Sequence, residues 1–143
     1  MEALVGYSEG VHWLNDGPDA EAAISCLACN GWTIFRLTSG IRSVPDFFEA
    51  IREALPLNPA VLSQNWDALS DSLWSGLDAL PTRRILLLWP FADQLKVADC
   101  KGFLVASELL TDLCISLGDE KLTTGNPKSV VVFQTGSVGG VAS

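Results

Sequence analysis

Residues 85–89, Ile85-Leu86-Leu87-Leu88-Trp89, are apolar without interruption. The longest apolar run, residues 85–92 with Pro90 inside it, is far too short to cross a bilayer. Residues 85–89 lack the polar alternate positions of a strand with one wet face, so they read as a strand covered on both faces. The surrounding chain offers partners and covers for it. Residues 10–14, 32–37 and 129–134 read as strands, the second through alternation of β-formers. Residues 19–29 read as a helix, with Asp16 or Asp19 available to cap it and Asn30-Gly31 as a left-handed end. Ser43 is placed to cap a second helix, with Pro45 in its first turn and Phe47, Phe48, Ile51 and Leu55 facing inward. Residues 93–103 form a short helix or irregular connector, and residues 105–117 carry Val105, Leu109, Leu113 and Leu117 at helical spacing. Strands alternating with helices predict an α/β fold with a parallel or mostly parallel sheet and right-handed crossovers.

The helix over residues 65–78 differs from the others. At about 100° per residue, Trp66, Leu69, Leu73 and Leu77 line one apolar stripe, and Asp67, Asp71, Trp74 and Asp78 line a second, roughly a quarter turn away. Like charges four residues apart cost an isolated helix a few tenths of a kcal/mol. No Lys or Arg stands between Glu53 and Arg83 to offset that cost. A surface charged against its own stability points to cations supplied by a partner. Trp74 is open to two readings, an aromatic at that interface or a lid folded back on the core.

The segment Pro56-Leu57-Asn58-Pro59-Ala60-Val61-Leu62-Ser63-Gln64-Asn65-Trp66-Asp67-Ala68-Leu69-Ser70-Asp71-Ser72-Leu73 resembles the signature of the barstar family of intracellular ribonuclease inhibitors. There a short loop leads into an Asn-hydrophobic-Asp-Ala-Leu-x-Asp-x-Leu helix. The resemblance runs from about Trp32 to Gln134, through the strand ending at Trp89, Phe91, a helix and a last strand. It departs where Ser63 replaces a usual Gly, where Val61 and Leu62 stand in place of frequent aromatics, and where Ser72 replaces a common Cys. The resemblance implies a three-stranded parallel sheet with helices packed around it, to which the first residues add a strand and a helix. The expected organisation is one domain over residues 1–135, comprising an extension (1–31) and the family core (32–135). Residues 136–143, rich in Gly, Ser and Val, form a mobile or additional tail.

The resemblance further implies one-to-one binding of a basic ribonuclease, with Asp71 central and Asp67 one turn before it. Clustered carboxylates can occupy the positions where a nuclease cleft holds phosphates. The full partner-facing set is Ser63, Gln64, Asn65, Asp67, Asp71, Trp74 and Asp78, joined by the second acidic pair Glu108 and Asp112. That pair reads equally as a solvated helix face. Two other readings stay open: an immunity protein of this fold against a different toxin such as a DNase, and a small metal-dependent hydrolase using Asp67 and Asp71.

A net charge of −8 argues against direct nucleic-acid binding, which rests on Lys and Arg neutralising phosphates, and fits a basic protein partner. The first nine residues have no basic region and no long apolar run, so the expected location is cytoplasmic, with reduced thiols and no membrane segment. Cys26 and Cys29 form a C-x-x-C near a helix C-terminus, the wrong end to stabilise a thiolate, and Cys100 and Cys114 are too far apart to complete a zinc site. Cys26 and Cys29, with Ala22, Ala23 and Leu27, read as a small-residue packing face. The single histidine, His12, reads as a strand residue, and Gly136, Gly139 and Gly140 lack the Lys-Ser/Thr and helix of a phosphate loop. No cofactor or metal is expected.

Overall fold

The structure, a computed structural model, describes residues 10–15, 17–58 and 64–136. Nine elements follow one another among them: β1 (Gly10–Asn15), α1 (Pro18–Cys29), β2 (Thr33–Arg36), α2 (Val44–Ala54), α3 (Trp66–Asp78), β3 (Arg84–Trp89), α4 (Asp93–Ala98), α5 (Cys100–Leu117) and β4 (Ser129–Gly136). The strands form one sheet in the order β1-β4-β3-β2, and all three pairings are parallel. The α/β expectation holds, and the N-terminal strand is the fourth, laid along the outer edge of β4.

The apolar run of β3 sits in the middle of this sheet and faces two cores. Ile85, Leu87 and Trp89 point, with Val130 and Val132 of β4, into the larger core under α2, α3 and α5. Leu86 and Leu88 point, with Val131 and Phe133, to the other face, where Ile24 and Leu27 of α1 cover them. The connectivity accounts for this division. From β1 the chain crosses to the far edge at β2, then returns through β3 to β4. Right-handed crossovers that travel in opposite directions along a sheet put their helices on opposite faces.

Local chemistry sets the boundaries. Ser43 accepts a hydrogen bond from Asp46 N–H at 3.2 Å and caps α2, whose Phe47, Phe48 and Ile51 are fully buried. Asp19 does not cap α1. Gly17 occupies that position with no side-chain cap, Asp19 lies in the first turn, and Asp16 is outside the described residues. At its other end α1 closes as a Schellman motif: Trp32 N–H donates to Leu27 C=O at 3.1 Å, Gly31 N–H to Ala28 C=O at 3.3 Å, and Gly31 has φ 87°. The buried face of α1 is Ala20, Ile24 and Leu27, while Ala22 and Cys29 are exposed and Ala23 and Cys26 half-buried. The expected small-residue face is thus corrected in part: Leu27 is buried and Ala23 packs beside it, while the larger Ile24, and not Ala22 or Cys29, completes the contact with the sheet.

The connector after β3 also differs from expectation. Asp99 breaks the helical path at φ −151° and caps the next helix, accepting from Gly102 N–H at 2.9 Å, so α5 starts at Cys100 instead of residue 105. Between β3 and α4, Phe91 has φ 54°, a strained region for a bulky aromatic. Thr135 holds this turn twice: its Oγ1 accepts Phe91 N–H at 3.0 Å, and its carbonyl accepts Ala92 N–H at 2.8 Å. β4 runs to Gly136, which pairs with Asn15 and whose missing side chain leaves room for the Trp13 ring. Gly136 therefore belongs to the sheet and not to the tail; residues 137–143 are outside the described residues. His12 lies in β1 with its ring edge-on to Phe133 at 6.3 Å.

Candidate functional site

The acidic helix α3 is anchored at both ends. At its start, Asn65 accepts Ala68 N–H at 3.0 Å as the N-cap. Trp66 then packs on an aromatic cluster, with ring centroids 4.9 Å from Phe48 and 6.0 Å from Phe47; Phe47 continues to Trp89 at 5.0 Å, and Trp89 to Phe103 at 5.7 Å. Along its length, Leu69, Leu73 and Leu77 are buried as expected. Ser72 and Gly76 are buried as well. The segment after α2 lies against them: Asn58 N–H donates to Ser72 C=O at 3.1 Å, and a Cβ on Gly76 would collide with the Pro56 carbonyl. These two small residues widen the buried arc to one side. Asp67 and Asp71 consequently lie nearly opposite the core, more than the quarter turn expected from the leucine positions alone, with Asp71 on the outermost line, while Trp74 and Asp78 are half-buried.

Asp67 and Asp71 are exposed and one turn apart. Among the described residues neither has a hydrogen-bond or ion-pair partner; the ion pairs found there, Arg36–Glu21 and Arg52–Glu49, lie elsewhere. Asp78, two turns further on, differs. It is half-buried, and its field reaches Lys128, where it opposes the downward pull of burial on the lysine pKa. The expectation of an uncompensated stripe is therefore corrected at this position: a cation fifty residues downstream in the chain stands beside it, invisible to any local reading. Trp74 is half-buried, with part of its ring packed against the larger core and part accessible.

Gln64 and Asn65 are exposed at the start of α3, and the Asn65 carbonyl oxygen of the side chain is committed to the cap. Ser63 lies outside the described residues. Glu108 and Asp112 are exposed on α5, which packs against α3 in the same layer. Both acidic pairs thus belong to one helical layer, and Glu108 points directly away from the buried arc of its helix. Sequence reasoning missed Lys128, whose only signal was a lone Lys before an apolar strand.

Among the described residues, no helix is long and apolar enough to cross a membrane, and no group of three or more His, Cys, Asp or Glu side chains is placed to hold a metal ion. A family model described as Barstar (barnase inhibitor) matches residues 32–125, spanning β2 through the turn after α5. No curated protein matches the chain.

Proposed function

The chain belongs to the barstar family of ribonuclease inhibitors, and from that membership we propose that it binds a basic ribonuclease one-to-one and blocks its active site with the outward face of α3. The observation that carries this reading is the placement of Asp67 and Asp71 on the line of α3 farthest from the core, with no cation among the described residues to pair with them. Two such carboxylates are preorganised for the Arg, Lys and His side chains that hold phosphates in a nuclease cleft. Ser63, Gln64 and Asn65 would flank them at the helix start, Trp74 and Asp78 along the stripe, and Glu108 and Asp112 from the neighbouring helix. The net charge of −8 steers association with a basic enzyme. In this reading the protein acts as an immunity protein in the cytoplasm, where the nuclease would otherwise meet RNA.

The test is inhibition of RNA cleavage by a panel of basic ribonucleases that includes barnase. Wild type should inhibit at least one at a one-to-one ratio. Asp71→Ala should weaken that complex by about 2 kcal/mol or more, a range set in part by interfaces of this same family, and Asp67→Ala by less. Equal inhibition by wild type and both variants would overturn the assignment of the face.

A further inference from the structure

At the end of α3 opposite Trp66, the chain turns through residues 79–83 into β3, while the turn that leaves α5 comes alongside before β4. Between them lies a pocket of about 290 Å³ whose polar lining includes Asp78, Arg83, Thr123, Thr124, Asn126 and Lys128. That volume is at the lower limit for ligand cavities and suits a molecule smaller than a drug.

Lys128 is the unusual member, at 4% exposure, since lysine is almost never this buried unless paired. Its Nζ donates to the carbonyls of Leu80 at 2.7 Å and Thr82 at 2.8 Å, both neutral. An ammonium has three hydrogens, so one remains. Arg83 donates to Asn126 Oδ1 at 3.4 Å, too long for a strong bond, and its guanidinium is otherwise exposed. No ion pair joins Asp78 to either cation. Asp78, Arg83 and Lys128 therefore line the same space with no hydrogen bond or ion pair between the acid and either cation, although the field of Asp78 reaches Lys128.

We propose that this pocket binds a small zwitterion of amino-acid size, its carboxylate held by Arg83 and the remaining Lys128 hydrogen and its ammonium by Asp78. A simple anion fits less well, because it would meet the Asp78 carboxylate on the opposite side. Two cations against one acid leave the pocket with an excess positive charge, which favours a zwitterion with a second carboxylate. The planar fork of Arg83 matches such a group in two-point geometry. Thr124, in left-handed conformation at φ 51°, and Gly125 at φ 87° shape the turn that forms the pocket wall.

The experiment is titration of the isotope-labelled full chain with L-glutamate, followed by amide chemical shifts, with sodium acetate as the anion-only probe at matched ionic strength. Glutamate should give saturable shifts confined to residues 78–83 and 123–129, with a dissociation constant of about 1 mM. Arg83→Gln and Asp78→Asn should each raise that constant about tenfold, the worth of one charge-assisted hydrogen bond. Neither side chain bonds to the Leu80 or Thr82 carbonyl, so both substitutions leave the two Lys128 hydrogen bonds their partners. Absence of saturable shifts, affinity for acetate equal to that for glutamate, or indifference to both substitutions would each overturn the proposal.

Discussion

Gly76→Ala sets two calculable effects against each other. Alanine is favoured over glycine in a helix interior by about 1 kcal/mol, and Gly76 has ordinary helical geometry, so the backbone raises no objection. Space does. A Cβ at this position would overlap the Pro56 carbonyl oxygen and come within 2.6 Å of Pro56 C and 3.2 Å of Leu57 N. All three are main-chain atoms, so no rotamer change relieves the contact. Overpacking of this kind costs about 1–3 kcal/mol. Pushing the segment away also stretches the Asn58 N–H to Ser72 C=O bond, worth about 1 kcal/mol. The net expectation is destabilisation by about 1–3 kcal/mol, read as a lower urea midpoint with an unchanged slope. In a chain of this size that is a fall in Tm of roughly 3–9 °C. A variant as stable as wild type, or more so, would show that the approach of residues 56–58 to α3 is looser than the structure has it.

Asp71→Asn removes the charge without improving helix propensity. It should leave stability unchanged or raise it by some tenths of a kcal/mol, with the gain fading in about 1 M salt; clear destabilisation in urea melts would make Asp71 a structural residue. Lys128→Met should cost about 1–3 kcal/mol, because the Leu80 and Thr82 carbonyls lose their donor. Burial lowers the Lys128 pKa below 10.5, so in the window between the folded value and 10.5 the unfolded chain binds more protons. The stability of wild type relative to Lys128→Met should therefore rise with pH across that window and be flat below it; a decline measured in paired melts would reverse the assigned direction. Thr135→Val should cost about 1–2 kcal/mol by stranding the Phe91 N–H in a turn that is already strained, as measured by thermal unfolding.

What the sequence made legible is what local pattern controls. The doubly apolar β3, the Ser43 cap, the inward Phe47, Phe48 and Ile51, and the leucine stripe of α3 all follow from spacing and short-range hydrogen bonding. The missed features depend on contacts distant in the chain. Ser72 and Gly76 are ordinary helix residues until the segment at Pro56 is laid across them. Asp78 looks unaccompanied until β4 brings Lys128 to it. Gly136 looks like part of a loose tail until Trp13 arrives from the other end of the chain. Asp99 is the exception, a legible cap for α5 outweighed by the apolar spacing that begins at residue 105.

The pairing of β1 with β4 joins Gly10 to Val131 and Asn15 to Gly136. During synthesis at about 5–20 residues per second, β1 waits on the order of ten seconds before β4, its neighbour in the sheet, exists. Throughout that interval its backbone donors and acceptors have no native partner, and α1 has no complete sheet to cover. The β2–β3 pair can close earlier, beneath α2 and α3, so the acidic helix can be seated before the outer edge is. Closing β1 onto β4 is a long-range step, of the sort that slows folding more than it alters stability. A nascent or freshly unfolded chain is therefore most exposed to wrong strand pairing at β1 until β4 arrives to cover it.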